Sequence, residues 1–128
     1  MPPEPAAPGP LIGLVGPCGS GKTTLAARLA AHGLRGRAIA QEHSFVPAMW
    51  QRLTHPDRLV FLEASFETCT RRRQLNWETW EYDEQLRRLE HAFRHADLRV
   101  GTDGLTPDQV LQAVIDGLGL GPLRRTEV

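Results

Sequence analysis

Residues 16–24 form a glycine-rich segment whose spacing suits one kind of chemistry. Gly16, Gly21, Lys22 and Thr23 fit the pattern G-x-x-x-x-G-K-[ST]. Glycines let successive backbone N–H groups point inward and form a nest for an anion at a helix N-terminus. The pattern therefore predicts a polyphosphate site made of the following residues: Gly16, Pro17, Cys18, Gly19, Ser20, Gly21, Lys22, Thr23 and Thr24.

Lys22 and Thr23 have separate tasks in such a site. A lysine ammonium is a compact charge suited to the outer phosphates of a nucleotide, and a threonine hydroxyl is a ligand for the magnesium that accompanies them. The chain has fifteen basic residues, and Lys22 is the only lysine among them. Because the composition otherwise uses arginine, we predict a specific, catalytic task for this side chain.

The elements that must hold this loop can be read from the residues around it. An apolar run from Leu11 to Val15 predicts a buried strand, and a helix pattern begins at Lys22 and stops at Gly33. Further strands are predicted at 37–41, 58–63 and 97–101. A strand, a loop, a helix and a second strand in this order imply a parallel sheet, whose ligands bind beyond the carboxyl ends of the strands.

The remaining segments predict helices that cover this sheet. They are predicted at 47–53, at 66–73 after Ser65 as N-cap, after Asn76, and from Thr106 to Gly119. In the third of these, apolar residues recur at helical spacing and are expected to pack on the core: Tyr82, Leu86, Leu89, Phe93 and Ala96. The sequence thus predicts an α/β domain with a short parallel sheet and helices on both faces.

Glu42 follows the predicted second strand, so it is expected on the same rim as the glycine-rich segment. A carboxylate there has two uses in phosphoryl transfer, since it can accept the proton of an acceptor hydroxyl or hold a water molecule on magnesium. Either task makes Glu42 a catalytic or metal-site candidate. The neighbouring His43 is expected either to assist or to be an exposed loop residue.

Length and charge limit the classes of function. The chain has 128 residues, enough for one domain, which we predict at 11–119 between a disordered Pro-rich tail at 1–10 and a loose tail at 120–128. A formal net charge of zero argues against binding nucleic acid or an anionic membrane. Two cysteines make no disulfide framework, and there is no apolar run of transmembrane length, so a cytoplasmic protein is expected.

Four segments together resemble the P-loop kinases of nucleosides, nucleotides and other small metabolites, most closely the uridine kinase and phosphoribulokinase branch. They are the segment Gly-Pro-Cys-Gly-Ser-Gly-Lys-Thr-Thr-Leu at 16–25, Gln-Glu-His-Ser-Phe at 41–45 followed by His-Pro-Asp at 55–57, and the closing strand and helix at 96–110. The resemblance implies a three-layer P-loop NTPase fold with ATP and Mg²⁺ as cofactors. It also implies that Glu42 is the acid/base residue on the acceptor side.

The resemblance leaves two interpretations of Glu63, which ends the predicted third strand. An apolar strand ending in a carboxylate is typical of the acidic strand that holds a magnesium-bound water in P-loop proteins. The alternative is a later kinase strand, Leu-Glu-Ala-Ser, whose carboxylate is structural and whose following helix begins the lid. The arginines of that helix favour the second interpretation, which makes Glu42 the main carboxylate near the metal.

The same resemblance suggests residues for the adenine and the lid. In these kinases an arginine at the start of the lid covers the base or contacts the transferred phosphoryl group, which implies Arg72 or Arg73. The loop before the last helix lies along the adenine, which implies Thr102, Asp103 and Gly104. An arginine-rich helix face that is simply solvated is the alternative.

We therefore expect transfer of the γ-phosphoryl group of ATP to a small metabolite, with a nucleoside-like acceptor as the first candidate. GTP is disfavoured because the chain has no Asn-Lys-x-Asp segment. The alternative is an ATP-dependent switch that hydrolyses ATP slowly and signals to a protein partner, because so short a chain has little room for an acceptor subdomain. A homodimer or a partner would then supply the missing wall, with Trp50, Trp77 and Trp80 as candidate interface residues.

Overall fold

The computed structural model describes residues 9–120. In this part of the chain four parallel strands form one sheet in the order β2-β1-β3-β4. The strands are β1 Leu11–Val15, β2 Arg35–Ala38, β3 Arg58–Glu63 and β4 Leu98–Gly101. The α/β class and the parallel sheet are thus confirmed. The predictions for the chain ends, 1–10 and 120–128, fall almost wholly outside the described residues.

Five α-helices and one short 3₁₀ helix connect and cover these strands within residues 9–120. They are α1 Lys22–Ala31, the 3₁₀ helix Gln41–His43, α2 Met49–Thr54, α3 Phe66–Arg73, α4 Thr79–His95 and α5 Pro107–Gly117. None of them combines the length and the apolar character needed to span a bilayer.

Alternate residues of the central strands point to opposite faces of the sheet, and each face has its own core. Leu14 and Leu62 lie on the face covered by α1 and α5, where they are buried with Leu29 and Val114. Phe61 lies on the other face. There it packs with residues of the loop after β2, α2 and α4: Ile39, Trp50, Leu89 and Ala92. Helices therefore cover both faces, as the sequence predicts.

The end of the second strand differs from the prediction. The strand was expected at 37–41, but β2 is Arg35–Ala38, and the chain turns into a 3₁₀ helix at Gln41. The Gln41 side chain is fully buried, with its Oε1 accepting from Trp50 N at 2.8 Å and its Nε2 donating to Val46 O at 2.9 Å. A buried amide that must be satisfied in this way ends the strand, because its hydrogen bonds hold the chain in a turn.

Helix α4 begins later than expected and buries different residues. Its N-cap is Glu78 rather than Asn76, and a capping box joins Glu78 to Glu81. Leu89 is buried as predicted, but Leu86 lines a cavity instead of the core. In contrast, the capping box of Thr106 and Gln109 with Pro107 at the start of α5 is present as predicted.

Candidate functional site

The loop at residues 16–24, which we call the glycine loop, connects β1 to α1 and is too tightly packed for side chains at two positions. A Cβ atom at Gly16 would lie 2.5 Å from Leu62 O, and one at Gly19 would lie 2.8 Å from Cys69 O. Gly19 and Gly21 also have φ angles of 92° and 104°, which favour glycine. Glycines are thus required at these positions, because the loop passes close to the backbone of β3 on one side and of α3 on the other.

The glycine loop ends at the N-terminus of α1. Gly21 is the N-cap, so no side chain caps this helix, and its first turn has no acidic residue. The first N–H groups of a helix have no partner within the helix, and the helix dipole makes this end favourable for an anion. The structure therefore leaves these donors available next to Lys22.

Lys22 is held by the loop to which it belongs. Its Nζ donates to Gly16 O at 2.7 Å and to Pro17 O at 3.3 Å, and it forms an ion pair with Glu42 Oε2 at 2.9 Å. The Lys22 side chain is only 10% exposed, so its charge is screened less by solvent than that of a surface lysine. The ammonium is fixed over the start of the glycine loop.

Glu42 lies in the 3₁₀ helix that Gln41 anchors, and it is nearly fully buried. Its Oε2 contacts Lys22, and His43 Nε2 lies 3.6 Å from the same oxygen. Its Oε1 is buried and has no hydrogen-bond partner within residues 9–120. An unsatisfied buried acceptor costs free energy, so a hydroxyl group or water molecule that donated to this oxygen would be bound favourably.

These groups line an open cavity of about 550 Å³, which we call the glycine-loop cavity. Its walls include Lys22, Thr23, Glu42, Arg72 and Arg73. This volume lies in the range of small-molecule sites. The structure therefore brings together, at the carboxyl end of the sheet, most of the side chains that the sequence selected.

Arg72 joins three segments around this cavity. Its guanidinium donates to Gly19 O and Ser20 O, both at 3.3 Å, and to Thr102 O at 2.8 Å and Thr102 Oγ1 at 3.0 Å. A smaller cavity of about 120 Å³ lies beside it, between Gly21, Leu105 and Pro107. The glycine loop, α3 and the loop before α5 thus meet at the Arg72 side chain, while the predicted contacts of Arg72 and Thr102 with a nucleotide stay predictions.

Asp103 and Glu63 do not line the glycine-loop cavity. Asp103 Oδ1 accepts a hydrogen bond from Ser65 N at 3.0 Å, and this bond lowers the pKa of the Asp103 carboxyl group. Glu63 is exposed at the end of β3 and lines a different cavity from Lys22. The two carboxylates that were alternatives for magnesium, Glu42 and Glu63, therefore occupy different cavities.

Gln85, which is buried in the middle of α4, was not among the residues predicted for the site. Its Oε1 accepts from the backbone N–H of Cys18 at 2.9 Å, which attaches α4 to the glycine loop. The signal was present, because Gln85 is four residues before Leu89 and is a polar side chain on the buried stripe of the helix. A buried polar residue in such a stripe needs a partner, and here the partner is the loop.

A second cavity, of about 530 Å³, lies between α4 and the carboxyl ends of β3 and β4. We call it the acidic cavity, because Glu63, Glu90 and Asp103 line it together with the aromatic rings of Tyr82 and Phe93. The Tyr82 hydroxyl donates to Ala64 O at 2.7 Å, and burial raises the pKa of Tyr82 to about 12. Tyr82 is therefore a neutral donor at physiological pH.

The tryptophans named as candidate interface residues differ in their environment. Trp50 is buried, and its Nε1 donates to His91 Nδ1 at 3.1 Å. Trp77 stacks on Phe66 and donates to Thr70 Oγ1. Trp80 is 64% exposed. Two of the three rings are thus engaged within the chain.

The side chains alone form no dense metal site. Within residues 9–120, no three His, Cys, Asp or Glu side chains are grouped closely enough to hold a metal ion.

In comparisons with known proteins, no family model and no curated protein matches this chain.

Proposed function

We propose that the protein has the P-loop NTPase fold, binds ATP with Mg²⁺ in the glycine-loop cavity and transfers its γ-phosphoryl group to a hydroxyl group of a small metabolite. The observation that carries this proposal is the geometry at Lys22. An anchored ammonium lies 2.9 Å from a buried carboxylate whose other oxygen has no donor within residues 9–120. A phosphate ligand on one side and a free proton acceptor on the other are the two groups that such a transfer needs.

The phosphates of ATP are held in this proposal by the N–H groups of the glycine loop and of the first turn of α1, with Lys22 against the outer phosphates. Thr23, exposed at the start of α1, and Glu42, through water, would hold magnesium. A metal-bound water that donated to the unpartnered Glu42 Oε1 would be the alternative to the task of this oxygen as proton acceptor. When bound, magnesium neutralises charge on the phosphate oxygens.

In the transfer, the acceptor hydroxyl oxygen forms a bond to the γ-phosphorus, and the bond from that phosphorus to the β,γ-bridging oxygen breaks. ADP leaves with the electron pair of the broken bond. The hydroxyl proton passes to the carboxylate of Glu42, whose Oε1 is free while Oε2 remains paired with Lys22.

The adenine end is proposed to lie towards Arg72 and the small cavity at Leu105 and Pro107. The Arg72 guanidinium already orders the glycine loop there, and a planar cation can also stack on a base. Asp103 faces another cavity, so we give it no contact with the base.

We place the activity in the cytoplasm, since Cys18 and Cys69 are both free thiols.

The experiment is turnover of ATP and Mg²⁺ by the purified protein, with and without nucleosides, nucleotides and phosphorylatable sugars. We expect one acceptor class to stimulate ADP release with an equal amount of phosphorylated product. Lys22→Ala should abolish formation of the phosphorylated product. Glu42→Gln should lower the transfer rate by at least about 100-fold while ATP still binds, because the side chain keeps its shape but loses the proton acceptor.

The control is Glu67→Gln, which neutralises an exposed carboxylate on α3 and should leave turnover unchanged. Slow hydrolysis that no acceptor stimulates, with Glu42→Gln equal to the wild type, would contradict the kinase proposal. It would favour the switch, and a protein partner would then be sought.

A further inference from the structure

The acidic cavity, of about 530 Å³, has no task in the chemistry described so far. Its wall is mostly apolar and aromatic, with Phe61 from β3 and Tyr82, Leu86 and Phe93 from α4. A concave apolar site of about 530 Å³ with a few polar groups is typical of a small-molecule site. Leu86 is 36% exposed, so a ligand in the cavity would cover apolar surface that water now contacts.

The charges around the cavity have one dominant sign. Glu63 ends β3, Glu90 lies on α4 and Asp103 follows β4, and among the described residues that line the cavity none is Lys, Arg or His. Within residues 9–120, no basic side chain lies within 4.0 Å of the Glu63 or Glu90 carboxylate oxygens. The Arg99 guanidinium, which does not line the cavity, lies over the Phe93 ring at 4.1 Å from its centroid. The described lining of the cavity therefore has three carboxylates and no cationic side chain.

The acidic cavity shares a wall with the glycine-loop cavity. Pro17 lines the first of them and Cys18, the next residue, lines the second. Pro17 O is also a ligand of the Lys22 ammonium, at 3.3 Å. On the other side of the wall, Gln85 binds Cys18 N, and Leu86, the next residue, lines the acidic cavity. A molecule in the acidic cavity thus lies next to the start of the glycine loop.

We propose that the acidic cavity binds the protonated amine and the apolar ring of the acceptor, whose hydroxyl group extends past Pro17 towards Lys22 and Glu42 in the glycine-loop cavity. This inference rests on the proposed function, which supplies the phosphoryl group. The carboxylates of Glu63 and Glu90 attract the amine, and the rings of Tyr82 and Phe93 pack against the apolar part. The same carboxylates repel acceptors that already carry a phosphate or a carboxylate, which disfavours nucleotides and sugar phosphates.

Binding can be tested without ATP by three compounds that differ in one substituent. In 2-amino-1-phenylethanol, 1-phenylethane-1,2-diol and mandelate, the same phenyl ring and hydroxyl carbon carry a cationic, a neutral and an anionic group. Titrations followed by NMR should show the amine binding at least about tenfold more tightly than mandelate, with the diol between them. Shifts should occur at Tyr82 and Leu86. Equal binding of all three, or binding of mandelate alone, would overturn the proposal.

Matched variants test whether these carboxylates cause the preference. Glu63→Gln and Glu90→Gln should each weaken binding of the amine by about threefold or more and leave the diol unchanged. Asp116→Asn removes an equal charge from α5, on the opposite face of the sheet, and should change neither. Loss of binding to the diol as well would indicate a damaged cavity, so the thermal unfolding midpoint of each variant is measured in parallel.

Turnover distinguishes this inference from the proposed function. The amine should stimulate ADP release, and Glu90→Gln should raise its KM while kcat stays the same, because the carboxylate binds the acceptor away from the reacting atoms. Phosphorylation of neutral or anionic acceptors only would overturn the inference and leave the kinase proposal standing. Binding of the amine by a protein that phosphorylates no acceptor would overturn the acceptor role, and the proposed function would fail with it.

Discussion

Lys22 is anchored by two carbonyl groups of its own loop, at 2.7 and 3.3 Å, and by the Glu42 carboxylate. A flexible lysine loses rotational freedom when it binds a phosphate, and here the structure has already fixed the side chain. The same contacts mean that Glu42 has a structural task besides its proposed chemical one. For this reason Glu42→Gln, which keeps the shape of the side chain, is a better test than Glu42→Ala.

The packing of Gly19 gives a prediction about stability. Its φ angle is 92°, and a Cβ atom there would lie 2.8 Å from Cys69 O and 3.0 Å from Cys69 Cα. Because backbone atoms cannot move aside as a side chain can, Gly19→Ala should lower the free energy of unfolding by about 1–3 kcal/mol or more. The measurement is urea unfolding followed by circular dichroism.

Gly101→Ala is the control for this prediction. A Cβ atom at Gly101 meets nothing within 4 Å, and its φ angle is not positive. The control should change stability by no more than about 0.5 kcal/mol. Equal effects of the two substitutions would show that the close approach of α3 to the glycine loop is not a source of strain.

Helix α3 hydrogen-bonds to the glycine loop through Arg72, whose planar guanidinium reaches the loop and Thr102 at the same time. Arg72→Gln should weaken the proposed binding of ATP by about tenfold, because several charge-assisted hydrogen bonds that order the loop are lost. Arg71→Gln removes the same charge from the preceding, exposed position and should leave the affinity unchanged. Fluorescence titration with a labelled ATP analogue measures both. Similar losses in the two variants would indicate a general effect of helix charge.

The contact between α2 and α4 predicts a pH dependence. Trp50 Nε1 donates to His91 Nδ1, so His91 accepts this bond as a neutral ring. Burial, followed by the neighbouring His95 and Arg94, lowers the pKa of His91 from its usual 6.5. Because the pKa is lower in the folded state, the stability that the neutral His91 ring contributes is complete above pH 6.5. It is lost as the pH falls below this value through the pKa of the folded state.

The test compares the urea midpoint at about pH 7.5 and about pH 5. The wild-type midpoint should decrease at the lower pH, and His91→Gln should reduce that decrease because Gln does not titrate. His32→Gln, at the exposed end of α1, should keep the wild-type difference. If His91→Gln kept the full wild-type pH dependence of the urea midpoint, that dependence would come from groups other than His91.

The two cores share one sheet, so the molecule should unfold as a unit. Leu29 of α1 is fully buried in the first core, and Trp50 belongs to the second. Leu29→Ala should lower the free energy of unfolding by about 2–5 kcal/mol, because it removes apolar contacts and leaves a cavity. In a background with Trp77→Phe and Trp80→Phe, where Trp50 is the one fluorescent tryptophan, fluorescence and far-UV circular dichroism should report the same shifted midpoint, since alternate residues of the same strands form both cores.

Leu53→Ala is the matched control, because Leu53 is 74% exposed. It should change the free energy of unfolding by no more than about 0.5 kcal/mol. If Trp50 fluorescence kept the wild-type midpoint in Leu29→Ala while circular dichroism shifted, the two faces would be separate cooperative units.

Much of this protein follows from short stretches of its sequence. The glycine loop, the start of α1 at Lys22, the strand β3 and the capping box of α5 were all predictable, because each depends on residues that are neighbours in the chain. The order of strands and helices also predicted a parallel sheet, which the strand pairing confirms, and the two cores confirm the predicted helices on both of its faces. The proposed kinase activity stays a prediction, since it rests on the glycine loop and on Glu42.

The tertiary structure decided which distant side chains meet. Glu42 is 20 residues from Lys22, and Gln85 is 67 residues from Cys18, yet both pairs are in contact. The sequence left Glu42 and Glu63 as alternatives, because each follows a strand and the sequence does not give the direction of the side chain. The turn fixed by Gln41 points Glu42 towards Lys22, whereas Glu63 faces the acidic cavity. That cavity was not predictable, because it exists only where α4 lies across the ends of β3 and β4.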